Sequence, residues 1–443
     1  MAAAPENPKI LSFEEARDVV EDHAALLGSR TEVSKRLEEV DLLRAAGRVL
    51  GEPITADRDF PPFPRATRDG YAVRAADLKQ LPATLDVIAE IKAGVAREQI
   101  PIELRSGQAA AIMTGAPAPS GADAVVMVEY TSRQGDRVQI TKGVRGGENI
   151  VPVGAEARRG DLMVPLGARL DQAAIAVAAS VGKSELLVHV RPRVAVLATG
   201  DELVDTTVQP GPTQIRNSNS YSLAAQIQTS GGEPILLPIA PDEPKRLREL
   251  IEDGLKSDLL LLAGGVSMGK YDLVEQVLSE LQAEFFFTGV QIQPGRPVVF
   301  GRIRDFKGHG SSPAAERPIG TWPSALEGKD EVKYFFGLPG NPVSTMVTFQ
   351  LFAQPVLEAL AGMSPSKLVF LHVRLKSEIK TKIGLKRFLP AALSGEFERA
   401  EVELAPWQGS GDIAATARAN CYVVISPDRD RIHAGEWVPV LLR

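Results

Sequence analysis

The sequence of 443 residues contains one cysteine, Cys421, and five histidines. A single thiol excludes an intrachain disulfide framework and every multi-cysteine zinc or iron–sulfur site. The histidines, at positions 23, 189, 309, 372 and 433, never take the His-x-x-x-His spacing, so a histidine-built metal centre is not expected. A bound metal should be a hard, oxygen-liganded ion such as magnesium. A basic excess is missing as well: 50 Lys and Arg stand against 56 Asp and Glu, for a net charge of −6. That balance argues against a nucleic-acid or anionic-membrane binder, which needs cations in surplus. No apolar run approaches the ~18 residues of a membrane span. Met1–Pro8 also lacks the basic start and apolar stretch of a signal peptide, so the expected location is the cytoplasm.

What the chain does have is an ordinary globular balance, 44% hydrophobic and 24% charged, over a length that suggests roughly three domains at ~150 residues each. Ser12–Leu27 reads as an amphipathic helix with Ser12 and Glu15 at capping-box spacing and Gly28 as a stop. Ser34–Leu50 reads as a second helix. From Pro53 to Gly147 short β-branched runs alternate with Gly, Pro and Asp turns, which predicts an inserted β module. Helix returns at Asp171–Val181, with Asp171 as N-cap. Between Arg193 and Leu360 apolar strand runs alternate with helices of about ten residues, the pattern of a parallel sheet covered on both faces. Arg302–Glu331 has no periodicity and reads as a long surface loop. A further short-strand module fills Leu368–Arg443.

In an open parallel sheet, ligands bind beyond the carboxyl ends of the strands. Three such ends carry unusual residues: Thr199-Gly-Asp-Glu202, Gly264-Gly-Val-Ser-Met-Gly269 with Asp272 beyond it, and Leu338-Pro-Gly-Asn-Pro-Val-Ser344 opening a helix. Glycines let backbone approach a ligand closely, and helix N-termini offer unpaired N–H groups to an anion. Asp201, Glu202, Asp242 and Asp272 offer the oxygen ligands that magnesium at a phosphate site needs. Each loop alone is explained by a tight turn or a helix cap; three on neighbouring strands point to one site.

Together with Arg68-Asp-Gly-Tyr-Ala-Val73, Ile112-Met-Thr-Gly-Ala-Pro117, Gly121-Ala-Asp-Ala-Val-Val126 and Gly147-Glu-Asn-Ile150, these loops make the sequence resemble the molybdopterin molybdenumtransferase family. That is the bacterial MoeA type, similar to the E domain of gephyrin. The resemblance runs from about Ser12 to the C-terminus. It implies a multidomain α/β plus β protein built around a doubly wound, mainly parallel sheet domain (191–363). The remaining parts would be a helical linker domain (1–53 and 148–190), an inserted β-rich domain (54–147) and a C-terminal β-barrel-like domain (364–443). It further implies a homodimer that takes adenylyl-molybdopterin and molybdate, with magnesium, and yields molybdenum cofactor and AMP. Transient contact with the adenylyltransferase and with cofactor-accepting enzymes comes with the same resemblance.

Residue by residue, Asp69, Thr114, Glu202, Asp242 and Asp272 match functional positions of the family, and Glu202, Asp242 and Asp272 are the implied magnesium ligands. The implied substrate contacts are Gly200, Asp201, Gly264, Gly265, Ser267, Pro339, Gly340, Asn341, Pro342, Ser344 and Ser410. Gln293 and Gly289 stand where the family often carries basic residues, so Arg296 is expected to take over part of the anion contact, with Arg65 or Arg68 as other sources of charge. Two rival readings are an adenylyltransferase, which resembles the sheet domain alone, and a non-catalytic gephyrin-like scaffold. The Asp69 and Thr114 segments oppose the first, and the retained carboxylates oppose the second. Cys421, inside an apolar run, is expected to be a buried small hydrophobe.

Overall fold

The structure is a computed structural model that describes residues 9–28, 36–100, 103–265, 273–304, 332–364 and 367–443. The chain divides into two compact units: residues 1–39, 47–51 and 187–443 in the first, and 40–46 and 52–186 in the second.

At the centre of the first unit is a six-stranded sheet in the order Glu233–Leu236, Arg193–Ala198, Leu259–Ala263, Lys333–Leu338, Val299–Ile303, Glu284–Phe287. The first four strands are parallel, and Val299–Ile303 runs antiparallel to both of its neighbours. Continuous apolar strands are explained by burial on both faces. Val194, Val196, Leu259 and Leu261 face one core, while Ala195, Leu197, Leu260 and Leu262 face another. Leu223 and Ile227 of the helix Asn219–Thr229 cover the first face. Leu247, Leu250 and Ile251 of Pro244–Gly254, with Val274, Val277 and Leu278 of Leu273–Glu280, cover the second. The mainly parallel, doubly wound sheet read from the sequence is therefore present.

The helix Phe13–Gly28 packs its 13, 16, 20, 24, 27 stripe into the first of these cores. Its capping box is formed as expected: Ser12 N donates to Glu15 Oε2 at 2.8 Å and Glu15 N to Ser12 Oγ at 3.2 Å. The expected second helix over 34–50 is not there. Leu37–Asp41 is a strand, and only Leu42–Ala45 is helical, capped by Asp41, which accepts from Leu43 N and Arg44 N. Backbone partners downstream decide it: Val190 N donates to Arg36 O at 2.8 Å, and Leu50 bridges Val188. Tertiary pairing overrides helix propensity here.

The C-terminal module closes into a five-stranded barrel, Lys386–Ser394, Glu401–Leu404, Phe370–Leu375, Trp437–Leu442 and Cys421–Ile425, sealed by pairing of the last strand with the first. Cys421 is fully buried in it, and burial raises its thiol pKa to about 11.

In the second unit a six-stranded sheet has the order Ala124–Met127, Gly70–Val73, Gln108–Ile112, Ala83–Ile91, Arg137–Ile140, Thr131–Gln134. Gly70 is required at its place, since a Cβ there would lie 1.8 Å from Val126 O of the paired strand. The helix Gln172–Ser180 starts at Asp171, whose carboxylate accepts from Ala174 N at 2.9 Å. Among the described residues no helix is long and apolar enough to cross a membrane. Nearly all of the loop expected at Arg302–Glu331 lies outside the described residues.

Candidate active site

Three strand ends of the first unit meet at one rim. Thr199 N donates to Ala263 O at 3.1 Å, Gly200 N to Ala240 O at 3.2 Å, and Gly264 N to Leu338 O at 3.1 Å. At Gly264 and Gly265 nothing larger fits, whereas Gly340 makes only ordinary contact with Gly264. At Gly265 (φ +65°) a Cβ would lie 2.6 Å from Thr199 Oγ1 and from Val274 Cγ2, and at Gly340 it would touch Gly264 Cα at 3.5 Å. Gly200, Gly264, Gly265, Pro339 and Gly340 are thus brought together, while Ser267 and Asp272 lie outside the described residues.

The acidic side of the rim holds Asp201, Glu202 and Asp242, all exposed. Asp242 N donates to Asp201 Oδ1 at 3.1 Å. Partial burial, then the charges of Asp201 and Glu202, push the Asp242 carboxyl above its usual range. Like charges held this close make a locus of negative potential that a divalent cation relieves, and their oxygens are the donors a hard ion takes. Among the described residues no three of His, Cys, Asp and Glu form a complete ligand group. The expected triad of Glu202, Asp242 and Asp272 is therefore represented here by its first two members.

The third loop is anchored from several sides. Thr345 Oγ1, fully buried, donates to Pro339 O at 2.5 Å and Asn341 O at 3.0 Å. Val343 N donates to Ser410 O at 3.0 Å, which ties the C-terminal barrel module to the start of the helix Pro342–Thr348. Ser344, 3% exposed, sits in the same helix. Gly295 closes on it as well, since a Cβ there would lie 2.4 Å from Thr348 Cγ2. Arg296, one residue on, is exposed, and its side chain has no ion-pair partner among the described residues.

In the second unit Asp69 and Thr114 form a tight pair. Thr114 donates to Asp69 Oδ1 from its backbone N at 2.6 Å and from its hydroxyl at 2.8 Å. The amide first, and the hydroxyl second, hold the Asp69 carboxyl below the usual range. Arg65 of the same unit is already engaged, with Nη2 2.6 Å from Glu156.

Two buried polar residues support the rim, one of them read from sequence only as a helix start and the other only as the first residue of its loop. Asn219, 8% exposed, donates from Nδ2 to Gly340 O at 2.7 Å, and Thr199, 5% exposed, lies under Gly264 and Gly265. Asn219 Oδ1 and Thr199 Oγ1 are buried without a hydrogen-bond partner among the described residues. In sequence Asn219 reads only as the start of the helix over 219–229, and in the fold Asn217 Oδ1, just ahead of it, accepts from Ser220 N at 3.1 Å. Nothing in the sequence tells the second asparagine from the first.

With this geometry in hand, the comparisons with known proteins are specific. Residues 11–182 match the profile described as the MoeA N-terminal region (domain I and II), residues 195–359 a probable molybdopterin binding domain, and residues 372–442 the MoeA C-terminal region (domain IV). The molybdopterin molybdenumtransferase of a Nostoc species is 36% identical over 417 residues, 91% of this chain and 88% of that one. Molybdopterin molybdenumtransferase 1 of Mycobacterium tuberculosis is 31% identical, over 96% of this chain and 98% of its own. The crystal structure of the molybdopterin biosynthesis MoeA protein from Pyrococcus horikoshii superposes with a TM-score of 0.71 at 27% identity, covering 98% of this chain and all of that one. The chain belongs to the molybdopterin molybdenumtransferase (MoeA) family.

Proposed function

We propose that this chain inserts molybdate into adenylyl-molybdopterin, with magnesium, and releases AMP as the molybdenum cofactor is formed. The observation that carries the reading is the meeting of the 199–202, 264–265 and 338–344 loops at one rim, in a chain whose relatives are molybdenumtransferases. Cleaving a phosphoanhydride calls for charge neutralisation and alignment more than for covalent help from protein. Magnesium held by Glu202 and Asp242, with Asp272, would supply that neutralisation at the pyrophosphate.

The chain's own groups orient the substrate. Gly264 and Gly265 bring backbone close to the phosphate oxygens, to which Ser267 would add a donor. Pro339, Gly340, Asn341 and Pro342 lie beside them, and Ser344, Ser410 and Arg296 border the helix start where a tetrahedral dianion is received. Asp69, kept ionised by Thr114, is the fixed carboxylate of the inserted domain. A homodimer, a four-part domain division, a cytoplasmic location and passing contact with the adenylyltransferase and cofactor-accepting enzymes complete the reading.

The test incubates the purified chain with adenylyl-molybdopterin, molybdate and magnesium and measures AMP. Release that requires magnesium and falls at least 100-fold in Glu202→Gln is expected. No AMP above background would end the proposal and favour the scaffold reading.

A further inference from the structure

The loop that leads from Leu338 into the helix Pro342–Thr348 turns four successive carbonyls into the protein. Leu338 O accepts from Gly264 N, Pro339 O from Thr345 Oγ1, Gly340 O from Asn219 Nδ2, and Asn341 O from Thr345 N and Oγ1. In a planar trans peptide the carbonyl and the N–H that follows it point in opposite directions. Two of these four peptides end in proline, at Pro339 and Pro342, and so have no N–H to offer. The other two direct the N–H groups of Gly340 and Asn341 away from the protein, at residues that are both exposed. Neither N–H donates to a described group. Successive outward N–H groups in a turn receive anions.

Three of the four carbonyls are held by groups of the adjoining strand end or of the helix itself. The Gly340 carbonyl alone depends on a side chain from another element, the helix Asn219–Thr229. Glycine has the freedom in φ and ψ to let this peptide turn over, so what stops it is Asn219. The backbone around that asparagine is fixed by its neighbours: Asn217 Nδ2 donates to Ser220 Oγ at 2.9 Å and Asn217 Oδ1 accepts from Ser220 N, with both residues buried.

We infer that Asn219 is a positioning residue, which locks the Gly340–Asn341 peptide so that its N–H faces a tetrahedral oxyanion of the substrates. The identity of that anion rests on the function proposed above: it is the adenylyl phosphate or molybdate. Asn219 touches neither; it acts through Gly340.

The experiment uses the full-length chain, with Asn219→Ala and the isosteric Asn219→Asp, which cannot donate to Gly340 O when ionised. Turnover is measured against adenylyl-molybdopterin and against molybdate, AMP affinity by calorimetry, and folding by melting temperature. The expected result is a rise of about tenfold in one KM for Asn219→Ala, the size of one lost hydrogen bond to an anion, with kcat within about twofold. Asn219→Asp should be affected more, and Asn219→Gln, which keeps the amide, less. Weaker AMP binding with an unchanged molybdate KM identifies the phosphate; a raised molybdate KM with unchanged AMP binding identifies molybdate. A lowered melting temperature with both KM values and the AMP affinity intact would overturn the inference. Asn219-dependent AMP binding in a chain that releases no AMP from adenylyl-molybdopterin would overturn the reaction and leave the inference standing. Absence of both AMP and molybdate binding in the unaltered chain overturns both.

Discussion

Asp242 and Asp69 are two carboxyls whose surroundings push them in opposite directions, and that difference is measurable. Asp242 faces Asp201 and Glu202 and is partly desolvated, so its pKa lies above that of the unfolded chain. The folded state then holds its proton more tightly, and the cost of ionising it appears only as the pH rises through the carboxylate range. Removing the charge should therefore help the fold at neutral pH. We expect Asp242→Asn to raise Tm by about 1 °C, the scale of one relieved surface repulsion. The same change should abolish any magnesium-induced rise in Tm; a thermal scan with and without magnesium reads both. Asp69 is the converse case. Thr114 lowers its pKa, so its contribution is present at neutral pH and is lost as the pH falls through the folded value. Asp69→Asn should consequently melt below the parent at pH 7 and together with it in acid, below both pKa values. A gap that persisted at low pH would mean the pair is not the cause.

At the scale of the element, the sequence was legible wherever the signal is local. The capping box of Ser12 and Glu15, the cap of Asp171 and the apolar runs of the sheet need only near neighbours to be read. Leu37–Asp41 reads locally as helix because its partners lie about 150 residues downstream, and a long-range backbone pairing leaves no mark within a window of fifteen residues. The long helix after Pro342 shows another such case. Its middle, Phe349–Ala353, widens into a π turn, and buried Arg17 of the helix Phe13–Gly28 donates to Leu351 O and pairs with Glu21 at 2.5 Å. From sequence, Arg17 looks like a charged residue on the wrong face of an amphipathic helix; in the fold it satisfies the Leu351 carbonyl, whose helical donor four residues on would be Pro355, which has no N–H. Arg17→Met should cost about 1–3 kcal/mol in urea unfolding, the range for leaving a buried acceptor unpaired. A loss below half that would show that water replaces the guanidinium.

For the molecule as a whole, the barrel is part of the first unit's core and not an appendage. Its outward residues Phe388, Tyr422, Val424 and Leu441 share one cluster with Phe13, Phe352 and the sheet, and Ser410 holds the helix start at the rim. A chain ending at residue 363 would expose that apolar face. It should be recovered mainly in aggregates or bind a hydrophobic dye strongly, as large exposed patches do; a soluble, monodisperse product would contradict the shared core. The sequence by itself determined which loops are glycine-rich, where the carboxylates stand and which family the motifs spell, because these depend on residue type and order. Only the tertiary structure decided that the barrel closes, that residues 37–41 pair as a strand, and that Asn219 rather than Asn217 reaches Gly340. Those outcomes depend on which distant backbone groups are left to be satisfied once the chain has packed.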